Sequence, residues 1–252
     1  MGRVASIWLK ELRSYFNSPI AYIFIVLVLA LSMAQFFFWT TRGPHGEFRG
    51  NFFVQGEASL KGYFEVFPFV LSILIPALCM RLWPEETKSG TIEVLVTLPV
   101  RAWELVAGKY LAMLSVVAIT LGCTLVVPWY VSRVSVEGLD LGPIIGGYVA
   151  AFLMGAGYCA VSLLASAFTR EQIVAFLVSL FICVPLALVG TPDIDIFTPN
   201  VLSEPMKFIG FTVRFESIAK GVLDVRDIVY FLTFSLIFVF LNITVVQYRR
   251  LK

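Results

Sequence analysis

Residues 83–109 read WPEETKSGTIEVLVTLPVRAWELVAGK, a polar stretch set between two long apolar runs. The runs on either side are long enough to cross a bilayer, so the stretch between them lies at a membrane surface, within reach of a water-soluble partner. Pro84 stops the preceding run, Glu85, Glu86, Lys88 and Ser89 read as solvated, and Gly90 permits a sharp redirection. A new helix can begin near Ser89 or Thr91 with Glu93 in its first turn, where the positive helix end favours an anion. Ile92, Leu95 and Val96 then share one face, and Pro99 ends the helix after about two turns. A helix that short is marginal in water by itself. It needs a surface to pack on, either the N-terminal helix and the membrane or a soluble partner.

Composition makes lipid the solvent. Hydrophobic residues make up 59% of the 252-residue chain and charged residues 14%, against roughly 45–50% and about 25% in soluble domains. A net charge of +2 argues against nucleic acid as a partner, and the lone histidine, His45, cannot build a histidine-based metal site. Cys79, Cys123, Cys159 and Cys183 all fall inside apolar runs without CxxC spacing, so they read as small core residues, not zinc ligands or disulfides. Residues 1–19 mix charged and apolar positions, and no small-residue cleavage site follows the first apolar run, unlike a cleavable signal peptide.

Six runs approach the roughly 20 residues that a spanning helix needs: Ile20–Thr40, Tyr63–Leu82, Val106–Tyr130, Pro143–Phe168, Gln172–Val189 and Ile228–Gln247. The fifth is short and holds Pro185. Nearly all charges lie outside these runs or at their edges, with Glu65 and Arg81 at the two ends of the second. A mid-membrane charge costs about 2.5–3.5 kcal/mol on insertion scales, which explains the segregation. With the N-terminus inside, cytoplasmic segments hold Arg3, Lys10, Arg13, Arg81, Lys88, Arg101, Lys109, Arg170, Arg249, Arg250 and Lys252. The other side holds Arg42, Arg49, Lys61, Arg133, Lys207, Arg214, Lys220 and Arg226 in longer segments. Basic density therefore places both termini in the cytoplasm.

Ahead of the first span, Val4, Ile7, Trp8, Leu12, Tyr15 and Phe16 recur at helical spacing, with Arg3, Lys10 and Arg13 mostly elsewhere around the wheel. Such a helix lies flat in the interface with its basic groups near anionic headgroups, as an anchor or as a lever beside the cytoplasmic segment. Asn17-Ser18-Pro19 ends it. In the fourth run Gly147, Ala151 and Gly155 form one small-residue stripe, and Ala156 and Ala160 form another. The stripes suit close helix packing within the subunit or a dimer seam. Pro68, Pro76, Pro128 and Pro185 are expected to kink their spans. In the long outer segment from Gly190 to Arg226, Phe215, Ile218, Ala219 and Val222 predict a short amphipathic helix dipping into the outer interface, beside Glu216 and Lys220. Pro192, Pro199 and Pro205 break the chain before it.

ELRSYFNSP at 11–19, EETKSGTIEVLVTLPVRAWELVAGKYLA at 85–112 and RFESIAKGVLDVRDIVYF at 214–231 resemble the type-2 ABC transporter permeases. More narrowly, they resemble the gliding-motility-associated and copper-enzyme-maturation permease group. The pattern E-E-x-x-x-G-T-x-E-x-L-x-x-x-P-V, with Gly108-Lys109 following, carries the likeness, which extends over the whole chain. The resemblance implies an all-α polytopic membrane protein, a single permease domain over 1–252. It would have six transmembrane helices, an interfacial helix at 1–19, a cytoplasmic coupling segment at 84–104 and a re-entrant outer segment at 190–227. It also implies that Glu85, Glu86, Ser89, Gly90, Thr91, Ile92, Glu93, Leu95 and Pro99 belong to a coupling region that docks on a separate ABC ATP-binding subunit. Trp8, Lys10, Glu11 and Arg13 would mark the interfacial helix. A second permease subunit, identical or paralogous, and membrane lipids complete the expected partners, in a bacterial inner membrane.

No phosphate-cradling G-x-x-x-x-G-K-[ST] loop is present: at Gly108-Lys109 the first glycine position is Trp103, and Tyr110 follows. The chain is therefore expected to be no enzyme and to bind no cofactor, with ATP and Mg used by the partner. Four functions compete. The leading one is the permease subunit of an ATP-driven transporter, an exporter by expectation. A membrane anchor passing ATPase-driven motion to an extracellular assembly would use the same coupling helix. An ion-coupled carrier would keep ionisable groups mid-membrane, and these spans have almost none. An intramembrane enzyme would want Ser/His, paired Asp or a metal cluster, which the spans lack. Phe36, Phe37, Phe38 and Trp39 read as a lipid-facing aromatic belt or as pathway lining.

Overall fold

A computed structural model of the protein describes residues 2–38, 60–90, 101–135, 140–189, 191, 209–221 and 224–251. In chain order the helices are α1 (Arg3–Asn17), α2 (Pro19–Phe38), α3 (Lys61–Phe64), α4 (Phe67–Cys79), α5 (Pro84–Lys88), α6 (Ala102–Thr124), α7 (Val126–Val134), α8 (Leu141–Phe168), α9 (Gln172–Leu188), α10 (Phe211–Ala219) and α11 (Val225–Leu251). Among the described residues there is no strand. Five stretches are long and apolar enough to cross a membrane: Pro19–Phe38, Gly62–Lys88, Ala102–Val134, Leu141–Phe168 and Val225–Tyr248. The remaining expected span, α9, has 17 residues.

Small residues decide which helix sits at the centre. The crossing stretch of α8 is 78% buried inside the bundle, against 28% for α2 and 17% for α11. Gly147 lies under the Phe64 ring, and Gly155 lies under Val117 of α6 and Ile75 of α4. The small-residue stripe therefore packs within the subunit, because it lets larger side chains of three neighbours approach one helix. The aromatic run that ends α2 divides. Phe36 is buried edge-on to Tyr63, Phe37 meets Tyr130, and Phe38 stays exposed. Trp39 lies outside the described residues.

Prolines shape the spans less uniformly than expected. Pro68 occupies the first turn of α4, where no intrahelical amide is lost. The break between α6 and α7 falls at Leu125, three residues before Pro128, which cannot bond back to the Thr124 carbonyl. Pro84 does not close its span; it begins α5 after the turn at 80–83. Cys79, Cys159 and Cys183 are buried, but Cys123 is exposed on the outer face of α6 and is not a core residue.

The short helix α10 packs on the bundle. Thr212 donates to the Ala187 carbonyl, closing α10 onto the end of α9. The Phe211 ring sits on Gly157, near mid-length of α8, while the Ile218 carbonyl lies over Gly146 close to the start of α8. Phe215 and Ile218 are buried against the bundle, where the sequence suggested a face turned to the outer interface, and Val222 lies outside the described residues. Arg214 pairs with Asp227 at 2.6 Å and stacks 4.5 Å from the Tyr230 ring, fastening α10 to α11.

Candidate functional site

Three elements meet at the opposite end of the bundle: α1, the chain from Met80 to Lys88, and the first turns of α6. Gly108 allows the meeting. A Cβ there would stand 2.6 Å from Ile7 Cγ2 and 3.3 Å from the Val4 carbonyl oxygen, so a larger residue would push α1 off α6. Further along, the Trp8 indole donates to Ser115 Oγ at 2.9 Å. Glu104 accepts from the Arg101 amide at 2.8 Å and so caps α6. The expected interfacial helix is therefore seated on protein through one face, with Lys10 and Arg13 exposed on the other.

This seating carries Glu11 onto Lys109. The Lys109 ammonium donates to Glu86 Oε1 at 2.7 Å, to Glu11 Oε1 at 3.1 Å and to the Leu82 carbonyl at 3.3 Å. An ammonium has three N–H donors, and all are used. The Lys109 side chain is 1% exposed and each carboxylate 11%. Trp83 lays its ring 5.2 Å from Nζ, and Lys10 approaches Glu11 at 3.7 Å from the solvent side. Burying an ion costs several kcal/mol, which is tolerable here because all three ammonium donors meet acceptors, two of them carboxylates. Glu86 is thus not solvated, and Lys109 is not a surface cation below the third span.

Beside this network, Arg81 donates to Ser18 Oγ at 3.0 Å and to the Ser14 carbonyl at 3.4 Å, with its guanidinium 4.6 Å above the Tyr15 ring. Tyr15 in turn donates to the Leu78 carbonyl at 3.2 Å. Burial holds the Tyr15 phenol well above the ordinary tyrosine range, and Arg81 opposes this only in part. The Lys88–Glu171 pair at 2.7 Å links α5 to the loop between α8 and α9, yet its side chains are 51% and 62% exposed. Lys88→Ala should therefore shift stability by no more than about 1 kcal/mol, measured by thermal unfolding in detergent.

The other expected site residues divide by position. Glu85 is exposed on α5, Ser89 donates to the Glu85 carbonyl at 2.8 Å, and Gly90 turns the chain with φ +69°. That left-handed conformation favours glycine over any residue with a Cβ. Thr91, Ile92, Glu93, Leu95 and Pro99 lie outside the described residues. Lys109 was legible only as the second half of a Gly-Lys pair. The signal that could have singled it out is its place three residues inside an apolar run that begins at Val106. Among the described residues no group of three or more His, Cys, Asp or Glu is placed to hold a metal. The arrangement can hold three segments in register and pass displacement between them.

Five stretches long and apolar enough to cross a bilayer make this a multi-pass membrane protein. The chain belongs to the ABC-2 family of transporter proteins, whose family model matches residues 6–248. The family consists of membrane subunits of ABC transporters, generally non-catalytic, which associate with an ABC ATP-binding subunit. No curated protein matched the chain.

Proposed function

We propose that the chain is the permease subunit of an ATP-driven exporter of the inner membrane, working as one of two permeases with two separate ATPase subunits. ATP and Mg act in those subunits, and residues 91–99 dock on them as the coupling helix. The observation carrying this reading is the Lys109 network. The segment leaves the bundle at Gly90, two turns at most after Glu86, and returns at Arg101, two turns before Lys109. Both stems of the segment are therefore tied to each other and, through Glu11, to α1. A push on the docked segment would reach α1, α4 and α6 together.

On this reading both termini are cytoplasmic and α9 is the fifth of six crossings. Its 17 residues extend about 25 Å, short of the roughly 30 Å hydrocarbon core, and α10 re-enters from outside to meet its end. The Lys88–Glu171 pair supports placing the second-to-third and fourth-to-fifth connections on one side. The narrower likeness to the gliding-motility and copper-enzyme-maturation group stays with the sequence motifs.

Leu95→Glu tests the docking. A charge on the apolar face of the short helix should abolish co-purification of the ATPase subunit while the permease still accumulates in the membrane. Unchanged co-purification and transport would remove the docking role, and ATP hydrolysis by the purified chain alone would remove the division of labour.

A further inference from the structure

Arg81 is 9% exposed and forms no ion pair among the described residues. Its hydrogen bonds go to a hydroxyl and a carbonyl, which orient the guanidinium but leave its charge uncompensated. A cation so far removed from water calls for an anion. The nearby carboxylates Glu11 and Glu86 are engaged with Lys109. Arg81 opens onto a cleft of about 720 Å³ between α1 and the end of the second span. Lys10 and Arg13 line the same cleft, so three cations face it against the single carboxylate of Glu85. Ser14 and Asn17 add polar side chains on the rim, and neither side chain bonds to another described residue.

The depth of the cleft indicates the kind of anion. It lies where α2 begins at Pro19 and where α4 gives way to the turn at 80–83, so two apolar helices end at its mouth. This is the level of lipid phosphates. A guanidinium held by Ser18, Ser14 and the Tyr15 ring presents a rigid planar fork, which matches phosphate oxygens better than a lone ammonium does. We propose that this cleft binds the phosphate headgroup of an anionic membrane lipid, with Arg81 as the fixed cation and Lys10 and Arg13 as flexible ones. The site would brace α1 against the second span from the lipid side, as the Lys109 network braces it from the protein side. The inference rests on the membrane placement of α2 and the second span, and it is independent of any transport activity.

The test uses the purified full-length chain, without ATPase, titrated with phosphatidylglycerol or phosphatidylcholine and read by native mass spectrometry. Phosphatidylglycerol should bind roughly tenfold more tightly or better, and Arg81→Gln should erase the difference. Lys10→Gln and Arg13→Gln, both at exposed positions, should each weaken phosphatidylglycerol about fivefold, which keeps the proposal testable if the Arg81 variant fails to fold. Inorganic phosphate should displace the lipid poorly. Equal affinity for the two lipids, or full affinity in the Lys10→Gln/Arg13→Gln double variant, would overturn the site. Binding of inorganic phosphate as tight as that of the lipid would overturn its assignment to a headgroup.

Discussion

Lys109→Met should cost about 3–5 kcal/mol, enough to deplete the folded protein, because it strands two carboxylates in a site built for three charges. The loss comes from the partners left behind more than from the ion pairs themselves. The triple variant Lys109→Met/Glu11→Met/Glu86→Met should therefore recover most of the stability, since a buried ionic cluster replaced by apolar residues of similar volume is often near neutral. Thermal unfolding of the single and triple variants, followed by fluorescence-detected size exclusion, separates the two effects. If the single variant unfolds like the parent, Lys109 does not hold these elements together. If the triple variant is stable yet fails to couple ATP hydrolysis to transport, the charges serve transmission and not only folding.

Gly146→Val is expected to dislodge α10. A Cβ at this position would overlap the Ile218 carbonyl oxygen and approach Gly221 to 3.3 Å, and these are backbone atoms that cannot rotate away. Overpacking of this kind costs about 1–3 kcal/mol and displaces the weaker element. That element is α10, nine residues long and held mainly by Phe211, Phe215 and Ile218. An Ile218→Cys reporter, fully buried in the parent, should become reactive to a membrane-impermeant maleimide when Gly146→Val is added. Unchanged labelling would mean that α10 does not depend on this close approach. The Arg214–Asp227 pair should then be examined as its principal tether.

What could be read from residues alone followed a clear division. The five long apolar helices, the turn at Gly90 and the helix around Phe215 and Ile218 all depend on short local patterns. The small-residue stripe of α8 was equally visible, but its two readings separated only when Phe64, Val117 and Ile75 were placed over it. Glu86 reads as solvated in the sequence and is buried in the structure for one reason. A charged residue at the end of an apolar run has the same local pattern whether it meets water or another helix. Lys109 bonds to a partner 98 positions away, and no spacing rule reaches that far.

The amino-acid order alone therefore settled that this is a helical membrane protein, and raised the expectation of a polar loop after Gly90, because transfer into lipid is decided run by run along the chain. Packing alone decided which charges are buried, that α1 is clamped to the stems of that loop, and that α9 stops at α10. Those outcomes depend on helices distant in sequence approaching within a few ångströms. Only at that range do a glycine without a Cβ and an ammonium with three donors determine what stays in contact.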